Sequence, residues 1–286
     1  MTRLRQQMIA AMRQRGFSVR THQSYLHAVT ELAGYYRRSP DALDVGELQR
    51  FFDHLAQERS LSPASCRLYL NGIRFLYLQV LQWPSFDVRL VVPRRSERIP
   101  ELLSRGGSAP DLRGLYAIAK HRMLLETTYG CGLRVSEVVA LRVRDIDGER
   151  GLLRIEQGKG ARDRLVTLAP GLLDRLRAYW RLCRSGLWLF PSAHDPASHL
   201  NVSSAQKIYT AAKARAGVEK VGGIHGLRHA YATHQLEHGL PVHELQHLLG
   251  HRSLRSTQRY VHWVPGCSRA GAGHADLVGS LEVRHG

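Results

Sequence analysis

Residues 225 to 260, HGLRHAYATHQLEHGLPVHELQHLLGHRSLRSTQRY, constrain the fold more than any other stretch, because two glycines cut a helix-forming run into short pieces. The first piece opens at His225, just after Gly222, Gly223 and Ile224, and Gly239 stops it. Leu240 and Pro241 start the second. Its Val242, Leu245, Leu248 and Leu249 recur at helical period, so one side faces a core. Gly250 and His251 end it, and Ser253 is expected to cap a third helix that carries Tyr260 near its end, with His262 and Trp263 behind.

His225 and Arg228 stand at i and i+3 and share one helix face, close enough to grip a single anion. The free backbone N–H groups of the first turn and the positive end of the helix dipole favour an anion at the same place. A phenol near such cations can serve as a nucleophile toward phosphorus, because cations ease phenolate formation and stabilise charge on phosphoryl oxygens. Taken singly, each residue is an ordinary surface or core group. Their joint arrangement points to chemistry.

In that arrangement the chain resembles the tyrosine recombinases, the phage-integrase family, Xer-like or from a mobile element. The resemblance is carried by H-G-L-R-H at 225 to 229, L-G-H at 249 to 251 and T-Q-R-Y at 257 to 260. Upstream, G-L-R-V-S-E at 132 to 137 is similar to the family's first arginine box, and G-K-G-A-R-D-R at 158 to 164 to its lysine turn. The resemblance implies six catalytic residues in family order: Arg134, Lys159, His225, Arg228, His251 and the nucleophile Tyr260. Glu137 stands where the family has an acid that orients the first arginine. By the same resemblance, Tyr260 attacks a DNA phosphodiester to give a 3′-phosphotyrosine link, the arginines clamp the non-bridging oxygens, the histidines donate hydrogen bonds, and Lys159 protonates the leaving 5′ oxygen. One phosphoester replaces another, so no cofactor and no metal is expected. The partner is double-stranded DNA, and strand exchange between two duplexes implies a homotetramer on paired sites. A type IB-like topoisomerase, and a DNA-binding protein whose catalytic half has decayed, use the same boxes and remain open.

Charge agrees with a nucleic-acid partner. Of 286 residues, 41 are Lys or Arg and 24 are Asp or Glu, a net of +17 spread through both halves and not confined to one tail. The four cysteines are far apart, with no CxxC pair, no secretory pattern at the amino end and no long apolar run, so a cytoplasmic, nucleoid-associated protein with reduced thiols and no membrane contact is expected.

The fold expected is mainly α: a helical, SAM-like DNA-binding domain over residues 1–88, then a mixed α+β catalytic domain over 102–286 with a small antiparallel sheet. Residues 3 to 15 form a basic helix closed by Gly16, a second follows from about Thr21, and Asp44 with Glu47 makes a capping box for a third. A fourth runs from Ser62-Pro63 to about Leu81, with Leu68, Ile73, Phe75, Leu76 and Leu78 toward the core and Tyr25, Tyr35, Tyr36 and Tyr69 also read as core. Residues 89–101 are expected to be a basic interdomain linker whose Arg94, Arg95 and Arg98 bind DNA phosphates. Beyond it, 145 to 148 is read as a turn, and Leu152 to Glu156 and Arg164 to Leu168 as strands joined by the glycine-flanked tip that bears Lys159. The Gly-rich segments at 105 to 110 and 265 to 273 depart from the family pattern.

One rival motif is present. His243-Glu244-Leu245-Gln246-His247 is a literal H-E-x-x-H, the helical zinc pair of metalloproteases, but the longer signature needs a histidine where Ser253 stands. A zinc hydrolase would explain neither the charge nor the upstream boxes.

Overall fold

The computed structural model describes residues 2–89, 119–156, 163–219, 221–262, 264 and 277–278. The chain divides into two compact units, Met1–Glu97 and Arg98–Gly286.

The first unit is helical. Helix α1 (Arg3–Gln14) starts where the Thr2 hydroxyl accepts the Arg5 N–H, and α2 (Val19–Tyr36) where Ser18 accepts from Thr21. The capping box of α3 (Val45–Asp53) is complete: Glu47 N–H donates to Asp44 Oδ1 at 2.7 Å, and Asp44 N–H to Glu47 Oε2 at 3.0 Å. Helix α4 (Pro63–Phe75) begins with proline at its first position, where no N–H is needed. Both α3 and α4 continue into one wider turn, His54–Glu58 and Leu76–Val80. Met8, Met12, Leu32, Leu48, Phe51 and Phe52 are buried together at the centre of this unit.

Two core assignments differ from the sequence reading. Leu68 is 41% exposed, because Cys66, Tyr69, Ile73 and Leu76 take the inward stripe and Leu68 falls beside it. Tyr35 is also exposed, packing its edge against Tyr36 and Phe51 and lying 4.7 Å from the His54 ring. Tyr77 instead is fully buried, its hydroxyl donating to the Pro40 carbonyl.

In the second unit, α5 (Ala119–Gly130) and α6 (Val135–Val139) precede a three-stranded antiparallel sheet. Its strands are β1 (Ile146–Asp147), β2 (Leu152–Ile155) and β3 (Arg164–Thr167), with Ile146 opposite Leu153 and Leu153 opposite Val166. The turn expected at 145 to 148 thus opens as a strand, and the reversal comes later, where Asp147 Oδ1 accepts from the N–H groups of Glu149 and Arg150. Helices α7 (Pro170–Cys183) and α8 (Val202–Arg215) follow, then α9 (His225–Glu237), α10 (Val242–Leu249) and α11 (Arg255–Val261).

Helix α9 is the axis of this unit. From Leu227 to Leu236 every residue except His229 is buried, the pattern of a helix surrounded by protein. The Tyr129 hydroxyl lies 2.7 Å from His234 Nδ1 and pins α5 to α9 inside the core. Gly132, at φ +59°, lets the α5–α6 connection pass against the Tyr231 ring, where a Cβ would sit 2.4 Å from Cδ1. Leu277 and Val278 pack onto the same core, Val278 against Gly130. Ser253 does not cap α11: the helix starts after Leu254, itself in helical conformation, with no side-chain cap. No described helix is long and apolar enough to cross a membrane.

In the first unit, α2 packs against α4 at Gly72, where a Cβ would lie 3.1 Å from the Tyr25 Cα. Gly72→Val is therefore expected to lower stability by roughly 1–3 kcal/mol through overpacking. Urea unfolding of the full chain reads this directly, and an unchanged midpoint would contradict the packing described.

Candidate active site

Three elements that are distant in sequence, α6, β3 and α9, meet at one carboxylate. Glu137, in the first turn of α6, is buried, and both its oxygens accept from guanidinium groups. Arg134 Nη1 donates to Oε1 at 2.6 Å, while Arg164 on β3 donates Nη1 to Oε1 at 2.9 Å and Nη2 to Oε2 at 2.8 Å. Arg228 on α9 brings Nη1 to 3.8 Å of Oε2. The Arg134 backbone N–H closes the turn onto Oε2 at 2.8 Å. Burial alone would raise the Glu137 carboxyl, but the hydrogen bonds and charge of Arg164, then those of Arg134, hold it down at about 2.

The same arginines fill the end of α10. Helix C-termini leave carbonyls without intrahelical partners, and here three consecutive ones are each taken by a different arginine. Arg164 Nε donates to Leu248 O at 2.9 Å, Arg228 Nη2 to Leu249 O at 2.6 Å, and Arg134 Nη2 to Gly250 O at 3.4 Å. Arg228 also donates to Gly132 O at 2.7 Å. Gly250 takes the left-handed conformation at φ +62°, and a Cβ there would meet the Arg164 Cδ at 2.9 Å, so glycine is required on both counts. Arg228 is 1% exposed; burial first, then the charge of Arg134, draws its pKa down to about 10.

Beside this cluster lies Tyr260, 2% exposed. Its hydroxyl is 2.9 Å from His229 Nδ1, and its ring lies parallel to His251 with centroids 6.2 Å apart. His251 Nδ1 in turn is 2.9 Å from Thr257 Oγ1 on α11, and its carbonyl accepts from Gln246. His225 packs edge-on to His229 at 4.7 Å. Burial raises the Tyr260 phenol, and Arg228, Arg259 and Arg134 pull against it. The histidines are all lowered: His251 to about 3 by burial and then Arg228, His229 to about 4 by burial and then His225 and Arg259. His225, although solvent reaches it, is lowered by partial desolvation and then by Arg228 and Arg134.

Arg134, Glu137, Arg228, His225, His251 and Tyr260 thus occur in one region, while Lys159, Arg94, Arg95 and Arg98 lie outside the described residues. Arg164 and His229 complete the region and were not singled out from sequence. Arg164 shares a strand face with buried Val166, an inward charge that alternation along β3 could have revealed. His229 is one turn on from His225. The H-E-x-x-H residues His243, Glu244 and His247 are exposed, and among the described residues no group of three His, Cys, Asp or Glu side chains could hold a metal ion.

Two outcomes follow for the folded protein. Folded-state pKa values of His229 and His251 lie below the ordinary 6.5, so their neutral forms contribute stability that is complete above about 6.5 and lost as pH falls toward 4. Thermal melts between pH 7 and pH 4 should show the midpoint falling, less steeply in His251→Asn. Arg164→Met, which removes the two-pronged partner of a buried carboxylate, is expected to lose about 3 kcal/mol by urea unfolding.

Comparison with known proteins bears on the family and the fold. The model of the phage integrase family matches residues 114–265, and that of the phage integrase N-terminal SAM-like domain matches residues 4–85. The y4qK protein of Sinorhizobium fredii is 38% identical over 264 residues, 91% of this chain and 84% of that one. Tyrosine recombinase XerD of Pseudomonas putida is 32% identical over 270 residues, 87% of this chain and 88% of that one. Among solved structures, the Tn1549 transposon integrase in complex with circular intermediate DNA shares the fold at a TM-score of 0.72 and 16% identity, over 98% of this chain and 99% of that one. With a SAM-like amino-terminal domain followed by the integrase catalytic fold, the chain belongs to the phage integrase family, that of the tyrosine site-specific recombinases.

Proposed function

We propose that this recombinase cleaves and rejoins duplex DNA through Tyr260, with the guanidinium cluster around Glu137 as its phosphate site. The observation that carries the reading is the Tyr260 hydroxyl held 2.9 Å from an imidazole, with Arg228, one of three arginines that share the Glu137 carboxylate, acting on the phenol. Three positive charges less one negative leave a net of two positive charges, which match the two negative charges that a phosphodiester acquires as a fifth oxygen adds.

The hydroxyl oxygen of Tyr260 attacks phosphorus as the bond to the 5′ oxygen breaks, giving a 3′-phosphotyrosine and a 5′-hydroxyl. Arg134 and Arg228 address the non-bridging oxygens. Of the five N–H donors on Arg228, two are committed to the Gly132 and Leu249 carbonyls, which fix the plane of the guanidinium and aim the remainder. Glu137 and Arg164 hold that geometry, His225 and His251 donate hydrogen bonds to the phosphoryl group, and Lys159 protonates the leaving 5′ oxygen. Attack by a 5′-hydroxyl from a second duplex reverses the step and exchanges strands, which calls for four protomers on two paired sites. Arg94, Arg95 and Arg98 are assigned to backbone phosphates between residues 1–88, the helical DNA-binding domain, and 102–286, the catalytic domain.

The test is a nicked duplex carrying the recombination site, on which the cut fragment diffuses away and rejoining fails. The parental protein is expected to become joined to DNA at Tyr260, and Tyr260→Phe to bind without forming an adduct. Arg228→Ala should slow adduct formation by roughly 10²–10³-fold, as loss of one charge-stabilising donor does. An adduct on another residue, or trapping of the Tyr260→Phe protein, would overturn the assignment. Binding without cleavage by the parental protein would instead mark a DNA-binding protein with a decayed site.

DNA affinity should fall steeply with salt, with a log–log slope of about −0.9 per phosphate contact. A flat response in a filter-binding titration would rule out backbone phosphates as the main contact.

A further inference from the structure

Every proton in the reaction above has a named destination except the one that leaves the tyrosine. We propose that His229 is that acceptor: its Nδ1 takes the Tyr260 hydroxyl proton as the oxygen bonds to phosphorus, and returns it when the tyrosine leaves. The inference rests on Tyr260 as nucleophile.

Geometry singles out this imidazole. His229 Nδ1 is 2.9 Å from the Tyr260 hydroxyl oxygen, a direct hydrogen-bond distance with the rings tilted by 48°. His251 meets Tyr260 differently: the rings lie parallel, and its Nδ1 is 2.9 Å from the Thr257 hydroxyl. His225 meets the His229 ring edge-on at 4.7 Å. The role calls for the tautomer with its proton on Nε2, which turns the Nδ1 lone pair to the phenol.

The charged surroundings make the transfer conditional on substrate. His229 is faced by His225 and Arg228 from α9 and by Arg259 and Tyr260 from α11, and His251 lies across the Tyr260 ring. Burial first, and then His225 and the guanidinium charges of Arg259 and Arg228, hold the imidazole neutral, which keeps the lone pair available at physiological pH and opposes the imidazolium that proton transfer would create. A bound phosphodiester supplies the negative charge that lifts this opposition. Proton transfer is thereby tied to an occupied phosphate site.

The cycle balances. In cleavage the phenolic proton moves to Nδ1, an O–P bond forms, the P–O5′ bond breaks, and the 5′ oxygen is protonated by Lys159. In rejoining each proton retraces its path, and no oxidant, reductant or metal is consumed.

The nicked-substrate assay tests this with His229→Asn, whose Oδ1 occupies the Nδ1 position and accepts a hydrogen bond without being basic, and with His229→Ala. Both should bind DNA within about twofold of the parental protein and form the Tyr260 adduct roughly 10²–10⁴-fold more slowly, as loss of a positioned base does. Below the acceptor's apparent pKa, the parental rate should fall tenfold per pH unit; in His229→Asn this limb should vanish. Added imidazole should partly restore His229→Ala. A DNA substrate with sulfur at the bridging 5′ position, whose thiolate leaves unprotonated, should rescue Lys159→Ala but neither His229 variant. Parental rates and an unaltered pH profile in His229→Asn, with the parental adduct still mapped to Tyr260, would overturn the acceptor role and leave the nucleophile standing. An adduct absent from Tyr260 would overturn both.

Discussion

Three guanidinium groups cannot be gathered in a protein interior unless something opposes their repulsion. Like charges a few ångströms apart interact by about 4 kcal/mol even at an effective dielectric of 20. Two features of this fold oppose it. Glu137 supplies a carboxylate that stays ionised, and the end of α10 supplies three carbonyls in succession, each with one arginine. The remaining architecture of the second unit presents these partners: α6 carries the acid, β3 brings Arg164 across, and α9 threads the core to deliver Arg228.

This knot also explains why the sheet, only three short strands, matters to a mainly helical protein. Arg164 enters on β3, opposite Ile155 in the ladder, and the pairing fixes where its side chain departs toward Glu137. A slip of one residue along the ladder would turn Arg164 to the other face. Gly250 lets the approach close, since its missing side chain is the space the Arg164 stem fills.

What the sequence makes legible follows from what is local. Helical period and glycine stops are enough to outline α9 and α10, and the capping box of α3 can be read from Asp44 and Glu47 alone. The arginine and histidine boxes are recognisable because residue types recur at fixed intervals. Arg164 and His229 escape that reading, because each acquires its meaning from a partner elsewhere: Glu137 lies 27 residues from the one, and Tyr260 lies 31 from the other. The same holds for β1, which exists only because Leu152 and Leu153 return to pair with it, and for Leu68, which the inward stripe of α4 leaves at the side.

Helix α11 is seven residues long and has no side-chain cap. So short a helix cannot hold itself together in water; its order is lent by neighbours, through packing on α9 and α10 and through Thr257 and Tyr260 to the two histidines. Its opening free energy is therefore a local quantity, well below that of the core around α9. Amide exchange along 255–261 is expected to outpace exchange in the helix that holds Arg228. A chain built this way separates the permanence of its guanidinium cluster from the mobility of the short helix that carries Tyr260.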